Sequence, residues 1–457
     1  MRDALTSLPS PVHLLGIGGA GVSSLAEYLA GAGLSVSGCD AMPSHRLERL
    51  VTSDIKTSTG HDPLHISKDI RSVVYSAAIP RSHPELVAAR EMGIKAIPRS
   101  LALARISRER NAICIAGSHG KSTVSAMTAH LLASARHDPG FIIGAVLRET
   151  GTGGYYGSGS YVVLETDEFD RTLERVCPAI AVITNVESEH LDVYGTMERL
   201  FASFLRFAQR ATTRTGAVLW TENPGGISTR LLRGSTLRCG FNAGNDCSGV
   251  ITKGENKTIH AIISLFNRQF DIELPLAGTH NLMNAILSSG AAYLAGLSIE
   301  EIARSFSDYK GLGRRFERLG GNDDMEFYSD YAHHPTEIKA VLETAQALDR
   351  PILTVFQPHL FSRTAALYSD FATSLIESDH IVVTAVYPAR EKEIPGITGE
   401  LVTDSLNSLG KTARYAKTYE MLEEILHSTI KSPMTVLFLS AGDLDAFARK
   451  FVEKKFE

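Results

Sequence analysis

The residues best suited to chemistry lie in the stretch Gly117-Ser118-His119-Gly120-Lys121-Ser122-Thr123. An apolar run, Ala112 to Ala116, precedes it and reads as a buried strand; Ser122 to Ala135, rich in Ala, Leu and Met, reads as a helix after it. Strand, glycine turn, lysine and helix start is an arrangement that holds a polyphosphate. Backbone N–H groups point into the turn, and the helix N-terminus carries partial positive charge. Lys121 would add a full charge on the β- and γ-phosphates, and the Ser122 hydroxyl would ligate Mg²⁺. Only Ser118 and His119 separate the two glycines, so the loop is shorter than the usual phosphate-loop pattern, and Gly-Lys-Ser also occurs in ordinary βα turns.

Carboxylates follow. A buried strand at Tyr161–Leu164 delivers Glu165, Asp167, Glu168 and Asp170 at or past its C-terminal end, where open α/β sheets hold ligands. A second, Ala179 to Thr184, leads to Asn185, Glu187, Glu189, His190 and Asp192. Behind a phosphate loop, these acids suggest a metal–nucleotide site. Oxygen ligands suit Mg²⁺ or Mn²⁺, with His190 as a nitrogen donor; a solvated acidic loop is the plain alternative. Asn281 and Asn284 stand at i and i+3 where a helix begins after Gly278. They could grip a base or ribose from one helix face, or Asn281 could simply cap the helix.

An earlier glycine turn, Gly16-Ile17-Gly18-Gly19-Ala20-Gly21, lies between a strand (Val12–Ile17) and a helix (from Val22), and a second strand ends at Asp40. This pattern asks for a diphosphate but does not say of which nucleotide. Three further clusters sit at strand ends late in the chain: Asp330-Tyr331-Ala332-His333-His334, Gln357-Pro358-His359 with Arg363, and Ala389-Arg390-Glu391-Lys392. Together they suggest a shared cleft.

The elements that must position these residues form three α/β segments: 1–108, 109–312 and 313–457. The length suits about three domains. The central segment has a β-rich stretch, Ala217 to Leu274, and Gly151 to Ser160 (GTGGYYGSGS) reads as a flexible surface loop. The third segment shows strands at Met325–Ser329, Ile352–Phe356, Ile381–Val386 and Val436–Leu439, with helices at Thr336–Ala347, Thr364–Glu377 and Leu444–Glu453. A net charge of −5 without a basic block argues against nucleic-acid binding. The five cysteines form no C-x-x-C pair, which suits reduced thiols. No secretory leader or membrane span is evident, so a cytoplasmic protein is expected.

The motifs resemble those of the Mur ligase family in their order: GIGGAG (16–21), YSAAIP (75–80), AGSHGKST (116–123), ETDEFD (165–170), TNVESEHLDVYG (184–195), AGTHNLMNA (277–285), GRRFE (313–317), DYAHHPTE (330–337), FQPH (356–359) and AREKEIPGI (389–397). The resemblance covers nearly the whole chain. It implies a Rossmann-like UDP-binding domain, a central P-loop ATPase domain with a parallel sheet and a smaller β-rich part, and a C-terminal Rossmann-like amino-acid domain. The implied reaction joins L-alanine to the carboxylate of UDP-N-acetylmuramate at the expense of ATP, in a monomer or weak homodimer.

By the same resemblance, the loop at 117–123 with Asn281, Asn284, Arg315 and Asp330 holds ATP. Ser122, Glu165 and His190 hold metal, and Lys121, Glu165, His190 and Arg315 serve catalysis. Gly18, Gly19, Ala20, Gly21, Asp40, His61 and Ser76 meet the UDP-sugar; Tyr331, His333, His359 and Arg363 meet the amino acid. The chain departs from the family in having Ser122 for the common Thr, ETDEFD for EADESD, Leu360 where an Arg usually follows the FQPH histidine, and one glycine fewer at Ser440-Ala441-Gly442-Asp443. An NAD-dependent oxidoreductase would explain residues 16–40 but leaves the phosphate loop and the acids at 165–192 without a role. A sibling ligase attaching tripeptide to the same sugar and a non-catalytic nucleotide-binding module are further rivals. The spacing from Asp170 to Asn185 disfavours the first, and the presence of metal, base and amine candidates together disfavours the second.

Overall fold

The apolar run Val12–Leu15 forms the central strand, β1, of a five-stranded parallel sheet in the computed structural model, which describes residues 8–456 apart from 188–190, 223–226, 228, 233, 256–257 and 390. After β1 come α1 (Ala20–Gly31), β2 (Val36–Asp40), α2 (His45–Thr52), β3 (Lys56–Thr59), β4 (Ser72–Tyr75), α3 (Pro84–Glu91), β5 (Lys95–Pro98) and α4 (Arg99–Glu109). The strand order is β3-β2-β1-β4-β5, every pair parallel. The order reverses between β1 and β4, and such a switch point opens a crevice at the carboxyl ends of the strands. The turn at Gly16–Gly21 leaves β1 there, and Ser76 leaves β4 beside it. Helix α1 starts at Ala20 with Gly19 as N-cap, two residues before the Val22 expected from the sequence.

The chain divides into two compact units, Met1–Leu312 and Gly313–Glu457. The first also contains a ten-stranded sheet. Its elements are β6 (Asn111–Ala116), α5 (Lys121–Ser134), β7 (Gly140–Ile142), β8 (Gly154–Tyr155), β9 (Tyr161–Glu165), α6 (Thr172–Arg175), β10 (Ile180–Ile183), α7 (Leu191–Tyr194), α8 (Met197–Thr212), β11 (Gly216–Trp220), β12 (Thr236–Gly240), β13 (Cys247–Glu255), β14 (Thr258–Leu265), β15 (Arg268–Leu274), α9 (Thr279–Leu294) and α10 (Ile299–Ser305). Strand β6 lies between β10 and β9, parallel to both. Its side chains past Asn111 are fully buried, as a strand covered on both faces requires. Val124, Met127 and Leu131 of α5 and Leu282, Met283 and Ile286 of α9 fill one face; Phe204 and Phe207 of α8 lie on the other. Strands β13, β14 and β15 make the antiparallel β-rich part. The segment Asn223-Pro224-Gly225-Gly226, a turn by its composition, lies outside the described residues.

One expectation fails in this sheet. The segment Gly151–Ser160 is not a free surface loop. Gly154 begins β8, which pairs with β7, and the N–H groups of Gly153 and Gly154 donate to Glu27 Oε2 of α1 at 2.9 and 2.8 Å. A Cβ on Gly154 would stand 1.8 Å from the Ser24 carbonyl oxygen, so the glycine allows strand and helix backbones to touch. Composition suggested flexibility, whereas the glycines serve close packing.

The second unit is a six-stranded sheet of order β16-β17-β21-β18-β19-β20. It runs β16 (Glu317–Gly321), β17 (Met325–Asp330), α11 (Pro335–Gln346), β18 (Ile352–Phe356), α12 (Phe361–Leu375), β19 (His380–Thr384), α13 (Glu400–Ser408), β20 (Ala413–Ala416), α14 (Tyr419–Thr429), β21 (Met434–Leu439) and α15 (Leu444–Phe456). Only the edge strand β16 is antiparallel. Cores lie on both faces, Ile352, Phe356, Leu437 and Leu439 on one, Leu353, Val355, Val436 and Phe438 on the other. The sequence reading missed β16, β20, α13 and α14: β16 and β20 are short edge strands, and α13 is rich in Ser, Thr and Asn. No helix among the described residues is long and apolar enough to cross a membrane, and all five cysteines are free thiols.

Candidate functional site

The loop after β6 lies between the ends of β9 and β10, and both supply side chains or backbone to it. Gly117 (φ +141°) and Gly120 (φ +80°) take conformations that disfavour a side chain. A Cβ on Gly117 would lie 2.0 Å from Thr184 Oγ1. From beyond β10, Asn185 accepts the Ser118 N–H on its carbonyl (3.1 Å) and the His119 N–H on Oδ1 (2.7 Å). Thr184 Oγ1 donates to the His119 carbonyl (2.6 Å), and Ser118 Oγ accepts the Glu187 N–H (2.8 Å). The loop is therefore held from outside, leaving its inner rim at the N-terminus of α5.

Lys121, first residue of α5, folds over that rim. Its Nζ donates to the carbonyls of Gly117 (2.6 Å) and Ser118 (3.2 Å) and pairs with Glu168 Oε1 at 3.2 Å. The next residue, Ser122, donates from Oγ to Glu165 Oε1 (2.9 Å), at the end of β9; Glu165 Oε2 accepts the Gly144 N–H (2.6 Å). Thr123 is half-buried in the same turn. A hydroxyl and a carboxylate oxygen 2.9 Å apart beside a lysine form a donor set suited to a hard, oxygen-ligated cation. His190, the expected nitrogen ligand, lies outside the described residues.

Helix α9 closes the loop's other side. Asn284 Oδ1 would stand 2.8 Å from a Cβ on Gly120, and Asn284 Nδ2 donates to Asn281 Oδ1 (3.2 Å). Gly278 is the N-cap, so Asn281 does not cap the helix; its Nδ2 reaches back to the Ala277 carbonyl at 2.7 Å. The two amides thus form one chain beside the phosphate loop.

At the crevice of the first sheet, Gly18 N donates to Asp40 Oδ2 (2.9 Å), and a Cβ on Gly16 would touch that of Ser76 at 3.1 Å. Glycine turn, Asp40 and Ser76 therefore meet at the switch point, with Gly19, Ala20 and Gly21 opening α1. His61 lies deeper, its Nδ1 3.3 Å from both Cys39 Sγ and Glu85 Oε1 and its ring edge-on to His83.

The sequence reading missed Arg99, first residue of α4. Its guanidinium lies about where a Gly21 side chain would be (2.9 Å from that Cβ position) and pairs with Asp170 Oδ2 at 3.1 Å. Its buried Nε has no hydrogen-bond partner among the described residues. Arg99 therefore brings positive charge to the start of α1 and joins it to the acidic segment after β9. An arginine directly behind Pro98 at the end of β5 was the available signal. A second link runs deeper: Ser24 Oγ of α1 donates to the Ile143 carbonyl (2.6 Å), and the following residue, Gly144, donates to Glu165.

In the second unit the predicted residues gather at the carboxyl ends of β17, β18 and β19. Asp330 ends β17 only 5% exposed, accepting the N–H groups of Phe316 and Ala332, both at 2.7 Å. Burial pushes its pKa up from the ordinary carboxylate value, against the pull of the Arg315 charge and those two bonds. Arg315 lies over the Tyr331 ring at 5.4 Å and 3.7 Å from Glu337. The rings of Tyr331, His333, His359 and Tyr387 follow one another at 5.4, 5.7 and 5.8 Å. Leu360 heads α12 with φ +69° and a buried side chain. One turn on, Arg363 Nη1 is buried with no hydrogen-bond partner among the described residues. Gln357 is instead tied into the fold, to Ser440, Tyr419 and Asp443.

Comparison with known proteins gives the class. Residues 11–111 match the description "Mur ligase family, catalytic domain", 115–292 "Mur ligase middle domain" and 314–442 "Mur ligase, glutamate ligase domain". The chain belongs to the Mur ligase family. It is 35% identical over 450 residues to the UDP-N-acetylmuramate–L-alanine ligase of Acidithiobacillus ferrooxidans, covering 96% of this chain and 97% of that one. To the same-named protein of Rubrobacter xylanophilus it is 36% identical over 439 residues, covering 95% and 97%. The crystal structure of UDP-N-acetylmuramate-alanine ligase MurC from Thermotoga maritima matches with a TM-score of 0.84 at 25% identity, covering 97% of this chain and 99% of that chain. A murein peptide ligase from Psychrobacter arcticus shares the fold, with a TM-score of 0.72 at 21% identity.

Proposed function

We propose that the chain is an ATP-dependent ligase that forms an amide between L-alanine and the carboxylate of UDP-N-acetylmuramate, in cytoplasmic synthesis of peptidoglycan precursor. The observation that carries the reading is the set of contacts at the loop's inner rim, Lys121 over the Gly117 carbonyl and against Glu168, and Ser122 bonded to Glu165 at the end of β9, in a chain whose relatives named above bear that activity in their names.

A carboxylate resists attack by an amine, so it must first be activated. The γ-phosphoryl group of ATP passes to the carboxylate oxygen, giving an acyl phosphate and ADP. The alanine amine then attacks the acyl carbon, and phosphate leaves with the C–O electron pair. The enzyme's work is positioning and neutralising charge. In this reading Lys121 exchanges its loop carbonyls and Glu168 for phosphate oxygens, which are better partners for an ammonium. The loop N–H groups and α5 hold the polyphosphate, Asn281 and Asn284 the base or ribose, and Arg315 and Asp330 assist with ATP.

Mg²⁺ or Mn²⁺ fits Ser122 and Glu165, whose oxygens suit it, with His190 as a further ligand; the ion would neutralise phosphate charge. The turn at 16–21, Asp40, Ser76 and His61, joined by Arg99, take the UDP-sugar. Tyr331, His333, His359 and Arg363 take alanine, the buried Nη1 of Arg363 facing its carboxylate. Residues 1–108, 109–312 and 313–457 thus serve sugar nucleotide, ATP and amino acid, in a monomer or weak homodimer.

The test is phosphate release from ATP with the sugar nucleotide and the amine varied. Turnover is expected only when UDP-N-acetylmuramate and L-alanine are both present. Turnover with the tripeptide in place of alanine would move the assignment to the sibling ligase.

A further inference from the structure

Four side chains that the reaction does not use converge under the first sheet. They are His13 on β1, Cys39 on β2, His65 in the helical turn Pro63–His65, and Glu85 in the first turn of α3. His13 is 4% exposed, and Cys39 and Glu85 are fully buried. One donor atom from each, His13 Nε2, Cys39 Sγ, His65 Nδ1 and a Glu85 oxygen, lies within 4.8 Å of every other. Glu85 oxygens stand 3.4 Å from His13 Nε2, 3.5 Å from His65 Nδ1 and 3.3 Å from Cys39 Sγ.

A second observation points to a ligand. His13 Nε2 and His65 Nδ1 are buried, yet neither has a hydrogen bond among the described residues. The His13 ring is held by its other nitrogen, 2.9 Å from Ser37 Oγ, which turns Nε2 inward. Metal-binding histidines are commonly oriented this way. Bonds of about 2.0–2.3 Å to a tetrahedral ion give ligand–ligand edges about 1.6 times as long, roughly 3.3–3.8 Å. The distances to Glu85 fall in that range.

We propose that His13, Cys39, His65 and Glu85 form a structural Zn²⁺ site. Two imidazoles, a thiolate and a carboxylate are a mixed nitrogen, sulfur and oxygen set, which favours Zn²⁺ over the hard ions of the ATP site. Thiolate and carboxylate together cancel the ion's charge, and the thiol proton goes to solvent. Without a cation, burial and the adjacent Glu85 carboxylate hold Cys39 as a thiol, with its pKa raised; a dication reverses that preference. Four protein ligands leave no open position, so the role is to fix structure. His61 stays at the rim, 3.3 Å from both Cys39 Sγ and Glu85 Oε1. The ion would tie β1, β2, the segment after β3 and α3 together, one residue before Asp40 and three before Gly16.

The test uses the full-length chain, purified without chelator, measured for zinc and then reloaded with Co²⁺. About one zinc per chain and a cobalt–thiolate charge-transfer band are expected. Cys39→Ser should abolish the band, and His65→Asn should weaken Zn²⁺ binding at least ~10-fold. A chelator should lower the Tm of the parent chain and leave that of Cys39→Ser unchanged, a control that holds even if the variant is less stable. A chain that retains neither metal, or a band that survives in folded Cys39→Ser, overturns the proposal.

Discussion

Replacing Lys121 by Met separates the pairing seen in the fold from the phosphate contact proposed for the same ammonium. In the fold Lys121 neutralises Glu168, whose side chain is 2% exposed, while its own is 15% exposed. Breaking a buried pair by removing one partner costs about 3–5 kcal/mol; the partial exposure of Lys121 favours the lower end, ~3 kcal/mol. At ~2.1 cal/mol/K per residue, the unit Met1–Leu312 has an unfolding entropy of roughly 0.65 kcal/mol/K, so Tm should fall by ~4–5 °C. In the proposed reaction the same charge would face the transferring phosphoryl, and its loss should lower kcat ~10³-fold, about 4 kcal/mol. Lys121→Met/Glu168→Gln removes the buried negative charge as well, so it should recover most of the Tm and none of the kcat. Calorimetry and phosphate release on both proteins check this. Recovery of turnover together with Tm, or a single variant within tenfold of the parent rate, would refute a role for Lys121 on the phosphates.

Ser122→Ala should raise the Mg²⁺ concentration needed for half-maximal turnover ~10-fold or more, with Ser122→Thr near normal; an unchanged titration speaks against Ser122 as a ligand. Arg363→Met should raise the KM for L-alanine and lower kcat/KM roughly 10- to 150-fold, the worth of a hydrogen bond to a charged group, while the KM values for ATP and UDP-sugar hold. A fall in Tm with alanine's KM intact would make Arg363 structural. Arg99→Met should weaken UDP-N-acetylmuramate binding ~10-fold by calorimetry, and NAD should bind neither protein; NAD binding would return the first sheet to the oxidoreductase reading.

What was legible in the sequence is what the backbone itself demands. Gly117, Gly120 and the turn at 16–21 stand where side chains would collide or φ is positive, and such positions leave a mark at fixed spacing. Glu165 was legible because a strand end fixes where its carboxylate goes. Arg99 was not, because one arginine after a proline says little until the fold brings the start of α4 against Gly21 at the start of α1. His13, Cys39, His65 and Glu85 share no local pattern either; only the parallel stacking of β1 on β2, with α3 behind, brings them together. The segment Gly151–Ser160 misled for the opposite reason. Glycine marks both a loose chain and two backbones in contact, and only the neighbour, here α1, tells them apart. The edge strands β16 (ERLGG) and β20 (ARYA) carry no apolar alternation long enough to show a period.

The bond from Ser24 to the Ile143 carbonyl bears on how such enzymes can be recombined. Helix α1, which opens at the turn 16–21, is fastened by Ser24 and Glu27 to residues 143–154, and the same strip fastens Glu165 through Gly144. A chimera that exchanges residues 1–108 alone for those of a relative would set a foreign helix against the Ile143 carbonyl and the Gly153 and Gly154 N–H groups. The carboxylate beside Ser122 would then drift although no residue of the phosphate loop had changed. The transplantable piece is discontinuous: residues 1–108 together with 143–154 and with Asp170, the partner of Arg99.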